Sequence, residues 1–176
     1  MRGSVKNPLA SGLICAAAVL LAACLPTTWR EFSSSEGGFS VQMPSAPQKE
    51  MRTAHLSTGP SDYPVFTAKS RDGTIFMVAY IDYGKQDFDL PYRLDSGRDE
   101  LLAQLDATLE SEKLLTLNGH PGRELVYRLR ADGTVFYQRW YCVNTYLYQL
   151  MVAPSGAANA EKNAQRFLES FRLLSP

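Results

Sequence analysis

Apolar and polar residues alternate with period two along much of the chain beyond residue 28. Phe39, Val41 and Met43 share one face of a short extended segment. Residues 29–32 form its partner across Ser33–Gly38, where Gly37 and Gly38 accept the positive φ of a turn. Pro44 and Pro47 close this unit. Residues 49–57 alternate weakly. Residues 65–69 and 74–83 flank Asp72-Gly73, a strong hairpin signal. Within residues 75–81 both faces are apolar, which predicts a central strand covered on both sides. Residues 84–93 read as a polar loop ending near Pro91. The period then changes. Leu94, Leu101, Leu102, Leu105 and Leu109 fall at helical spacing and predict a helix to about Ser111. Asp95 or Ser96 would cap it, with Asp99 and Glu100 at the positive end of its dipole.

Strand patterns resume at 114–117 and 123–130 around Asn118-Gly119-His120-Pro121-Gly122. Asp132-Gly133 closes a further hairpin into 134–143, and Asn144-Thr145 turns into 146–152. Ala157, Ala160, Ala164, Phe167, Leu168 and Phe171 line one side of a C-terminal helix. Strands, helix, strands, helix, joined by tight turns, predict an α+β fold: an antiparallel sheet with two main helices packed on it. No internal repeat or low-complexity linker divides residues 29–176, so they are read as a single domain.

The N-terminus follows another rule. Arg2 and Lys6 precede an uncharged apolar run from 13 to 23, the pattern of a secretory signal. As a helix, eleven residues span about 16 Å against a hydrocarbon core of roughly 30 Å, too short for a permanent span. Leu21-Ala22-Ala23-Cys24 resembles a bacterial lipobox. The resemblance implies cleavage before Cys24 and lipid on its sulfur and amine. Residues 1–23 are then a lipoprotein signal peptide and 24–28 a tether. That tether reaches at most about 14 Å from Cys24. The domain is expected at the extracytoplasmic side of a membrane in the cell envelope. Leu25, where an Asp would resemble an inner-membrane retention signal, leans towards the outer membrane if the envelope is Gram-negative.

Charge and cysteine content narrow the partners. Residues 1–23 carry two basic and no acidic side chains, which leaves 16 Lys+Arg against 18 Asp+Glu, a formal net charge of −2. No basic stripe is present, so nucleic acid is not an expected partner. Anionic headgroups gain nothing from this balance, and lipid rather than charge is expected to hold the chain at the membrane. With Cys15 in the signal and Cys24 lipidated, Cys142 stands alone in an apolar strand and reads as a small buried hydrophobe.

Trp29, Phe32, Gly37, Phe39, Val41, Met43, Pro44 and Pro47, then Asn118-Gly119-His120-Pro121-Gly122-Arg123-Glu124, then Ala164, Phe167, Ser170 and Phe171, are spaced as in an uncharacterised bacterial PsbP-like domain. The chain resembles that family over nearly all of residues 29–176. The motifs are turns, strand faces and a packed helix. The resemblance implies an α/β/α sandwich and a habit of binding protein partners rather than catalysing.

The sequence offers little for catalysis. His55 and His120 are the only histidines, and no Gly-x-Ser-x-Gly elbow occurs. No His/Cys pair has zinc-site spacing, and no phosphate or dinucleotide loop is present, so no cofactor is expected. Asp82, Asp87 and Asp89 supply hard oxygens in one loop, at spacing that departs from the EF-hand. Tyr137, Tyr141, Tyr146 and Tyr148 fall on one face of the 134–152 hairpin, where an outward-facing set would form an interface. His120 and Arg123 would add polar contacts beside it. The expectation is a non-catalytic, membrane-anchored module that binds an envelope protein. The alternative is a small-ligand or calcium-like metal-ion module using the cleft near residues 82–93.

Overall fold

A computed structural model describes residues 28–56, 59–84, 90–156 and 159–174, with the side chains of 90–92 excepted. Cys24, the signal peptide, most of the tether, Asp87 and Asp89 lie outside the described residues. β1 (Arg30–Ser34) and β2 (Phe39–Met43) form a hairpin, and β3 (Gln48–Leu56) and β4 (Gly59–Lys69) a longer one. β5 (Ile75–Asp82) leads to α1 (Leu90–Gln104). Four strands follow: β6 (Ala107–Leu117), β7 (His120–Leu129), β8 (Val135–Val143) and β9 (Tyr146–Ala153). α2 (Ala160–Glu169) and a two-residue strand, β10 (Arg172–Leu173), come last among the described elements.

Seven strands form one antiparallel sheet in the order β3-β4-β5-β9-β8-β7-β6, and β1-β2-β10 form a second. This is the expected α+β architecture. β5 is internal, and Phe76, Val78 and Tyr80 from one face and Ala79 and Ile81 from the other are all buried, as the two-sided apolar run predicts. One face of the large sheet carries the main core. Phe76, Val78, Tyr148, Leu150 and Val152 pack there against Phe39, Val41 and Met43 of β2 and Ala164, Phe167 and Leu168 of α2. The other face carries Leu125, Tyr127, Trp140 and Cys142, packed with Leu94, Leu101 and Leu102 of α1.

α1 departs from its predicted bounds at both ends. It starts at Leu90, so Asp95 and Ser96 are interior rather than caps, and Pro91 occupies the first turn, where a missing N–H costs nothing. It stops at Gln104. The Leu105 and Asp106 amides donate to Leu101 and Ala103 carbonyls at 3.0 and 3.4 Å, and Asp106 turns into the left-handed region at φ 46°. Leu109 therefore lies on β6, not on a helix, and still packs on the α1-side core. Its inward position satisfies both periods, which is why helical spacing reached across the true boundary. At Glu110 the β6–β7 ladder slips by one residue, a bulge on an edge strand.

Candidate functional site

The ends of the strands position the side chains singled out by the sequence. β1 runs from Arg30 to its turn at 35–38, spanning about 16 Å at roughly 3.3 Å per residue. The chain enters beside Trp29, whose ring packs edge-on against Phe76 at 5.2 Å and lies under the Arg166 guanidinium at 4.9 Å. At the opposite end, three turns meet. These are the β1–β2 turn, the β6–β7 turn and the β8–β9 turn. Asn118 and Gly119, at φ 50° and 83°, let Leu117 pair directly with His120. Asn144, at φ 53°, does the same for Val143 and Tyr146.

These turns and the chain's last described residues enclose a concavity of about 770 Å³. His120, Tyr146 and Tyr148 line it, with Asn118 and Asn144 from the turns and Leu173 and Leu174 from the C-terminus. Tyr146 is half-buried and packs on Tyr80 and Tyr148, with ring centroids 6.2 and 6.1 Å apart. The Tyr148 hydroxyl donates to the Gly37 carbonyl at 2.8 Å, fastening the large sheet to the β1–β2 turn. Burial pushes the Tyr148 hydroxyl up to about 12.

The structure brings together His120, Tyr146 and Tyr148 and separates the rest of the proposed contact set. Tyr141 is not on the surface: it stacks on Phe171 at 5.8 Å and is buried in the main core. Tyr148 is likewise buried apart from its edge of the concavity. The reason is register. Tyr141 pairs directly with Tyr148 at the middle of the hairpin, and α2 with the small sheet covers that face. Only Tyr137 and Tyr146, towards the two ends, emerge. Tyr137 lines a different groove, near Arg128 and Glu161.

Arg123 is also a correction. It is only 6 % exposed and sits on the α1 side of the sheet, away from His120's concavity. Its guanidinium contacts Glu112 of β6 and Asp95 of α1, each at 2.5 Å. Arg98 contacts both Glu112 carboxylate oxygens at 3.1 Å and donates to Asp99 at 2.8 Å. The network locks α1 onto β6 and β7.

Asp82 ends β5, exposed, and accepts the Gly84 amide at 2.9 Å. That bond, with a second from Thr145, holds its carboxyl below the usual range. Among the described residues, no three His, Cys, Asp or Glu side chains gather to hold a metal ion. No helix among them is long and apolar enough to cross a membrane.

No family model matches the chain, and no curated protein matches it. Solved structures do. The cyanobacterial PsbP (CyanoP) of Synechocystis superposes with a TM-score of 0.59 at 14% identity, over 84% of this chain and 93% of its own. A protein of unknown function from Pseudomonas aeruginosa gives 0.46 at 14% identity, over 78% and 94%. One from Bacteroides thetaiotaomicron gives 0.44 at 16% identity, over 83% and 48%. At such identities the likeness to CyanoP shows the fold alone. This chain has a PsbP-like α+β fold.

Proposed function

We propose that this chain is a lipid-anchored, extracytoplasmic module of the cell envelope that binds a protein partner and performs no catalysis. The observation that carries the reading is the placement of the concavity at the end of the sheet remote from Trp29. The described chain begins beside Trp29, so a tether from Cys24 would hold that end of the sheet towards the membrane and leave the half-exposed Tyr146 and His120 at the other. Aromatic and neutral polar side chains around a wide opening are the composition of a protein contact rather than of a small enclosed site. The lipobox, the short tether and the lack of a catalytic set in the sequence support the same reading.

Two experiments test it. Cys24→Ala should free the protein from the membrane fraction or leave it unprocessed; lipid labelling that survives the change would remove the anchor from the reading. A photo-crosslinking amino acid placed at His120 or Tyr146 of the full lipidated protein should capture one stoichiometric envelope protein. The same group at Lys113, on the β6 edge, should capture none. Equal capture from all three positions, or none from any, would overturn the assignment of the surface.

A further inference from the structure

The face of the sheet under α1 holds a second opening, unrelated to the concavity. It is a cleft of about 210 Å³ between α1 and strands β8 and β9. Its floor comes from alternate residues of the two strands: Gln138 and Trp140 of β8, Leu147 and Gln149 of β9. Trp140 pairs directly with Gln149 across the ladder. Ser96 and Glu100 of α1 and Tyr83 after β5 form the walls.

Two features of this floor do not fit a purely structural role. Gln138 is an amide at a position only 4 % exposed, on the face that elsewhere carries Leu125, Tyr127 and Cys142. Polar groups on a core face are expected at functional sites, since each must be satisfied at a cost. The Tyr127 hydroxyl supplies one partner, donating to Gln138 Oε1 at 3.0 Å. Trp140 is only 5 % exposed, and its Nε1 is buried with no hydrogen-bond partner among the described residues. Leaving a buried donor unpaired is unfavourable, so the Trp140 ring is held in this floor at a cost to the fold.

We propose that this cleft binds a neutral, hydroxyl-rich ring: a single sugar or the terminal sugar of a chain. Its volume is below the roughly 300–1,000 Å³ of sites for drug-sized ligands, so it admits one small ring rather than a cofactor. Gln138, Gln149 and Gln104 each carry a donor and an acceptor on one planar amide, which matches adjacent hydroxyls, themselves both donor and acceptor. Trp140 adds an apolar ring. Arg93 and Glu100 line the same cleft with opposite charges, so it has no net field to select an anion or a cation. The inference is independent of the membrane anchor and of the partner surface.

The test uses the chain's two tryptophans, Trp29 and Trp140, which lie on opposite faces of the large sheet. In the folded protein, glucose and N-acetylglucosamine are titrated while both indole N–H resonances are followed by NMR, assigned with Trp29→Phe. The Trp140 signal should move with saturation and the Trp29 signal should not. Gln149→Leu should weaken binding about tenfold, equivalent to about 1.4 kcal/mol, without changing the melting temperature. Gly97→Leu should abolish binding by filling the cleft, since a Cβ there already lies 3.6 Å from the Trp140 ring. Three results would overturn the proposal. These are no Trp140 movement with either sugar, movement that survives both variants, or movement produced by glutamate or lysine but not by sugars.

Discussion

Gly122 shows how one residue sets the packing of two layers. It pairs with Tyr141 across the β7–β8 ladder. A Cβ there would collide with the Tyr141 ring and lie 2.7 Å from the Trp140 carbonyl oxygen. The ring is held by Phe171 and the carbonyl by the strand, so neither can retreat. Gly122→Ala should therefore destabilise the fold by about 2–3 kcal/mol, the upper part of the range for overpacking. Gly156→Ala is the matched control: its φ is ordinary and nothing lies within 4 Å of the added carbon. It should stay within about 0.5 kcal/mol of the parent. Urea unfolding midpoints of the two variants decide the point, and equal midpoints would mean that the β7–β8 ladder yields.

At the scale of elements, α1 is held by the apolar packing of Leu94, Leu101 and Leu102 and by the Asp95, Arg98, Glu112 and Arg123 network. The contributions within it are unequal. Glu112 serves both arginines, and its side chain is 26% exposed against 55% for Asp95. Glu112→Gln leaves two guanidinium groups short of charge, one of them buried, and should cost about 2–3 kcal/mol. Asp95→Asn removes a better-solvated partner and should cost under about 1 kcal/mol. Chemical denaturation of both variants and of the double variant measures the coupling.

The same elements show what a sequence can and cannot disclose. The Asp72-Gly73, Asn118-Gly119 and Asp132-Gly133 hairpins were legible because turn chemistry is local. The end of α1 was not, since Leu105 and Leu109 prolong the helical spacing beyond the residue, Asp106, that breaks it. Nor could alternation tell which face of the 134–152 hairpin would be covered. That depends on α2 and the β1-β2-β10 sheet, which arrive from both ends of the chain. For the candidate site, His120 and Tyr146 could be found beside their turns. Leu173 joins them only through the two-residue pairing of β10 with β2, too short to leave a periodic signal.

For the molecule as a whole, two cores on opposite faces of one sheet bury weak acids in their neutral forms. In the α1-side core, burial raises the Cys142 thiol from an ordinary value of 9.0 to about 11 and the Tyr127 hydroxyl from 10.0 to about 12. In the main core it raises Tyr148 from 10.0 to about 12. In each case the folded state holds its proton more tightly than the unfolded chain. Their contribution to stability is then complete below pH 9 and is lost as pH rises, because the unfolded chain releases protons first. The decline should begin near pH 9 with Cys142, steepen above pH 10 as the tyrosines join, and level off near pH 12. Urea midpoints at pH 8, 9, 10 and 11 would trace it. Cys142→Ala should remove the first part of the slope, and Tyr127→Phe should flatten the part above pH 10 while keeping the ring stacked on Phe136, 5.4 Å away. A profile that stays level from pH 9 to 11 would mean that water reaches these groups in the folded state, and that neither core is closed.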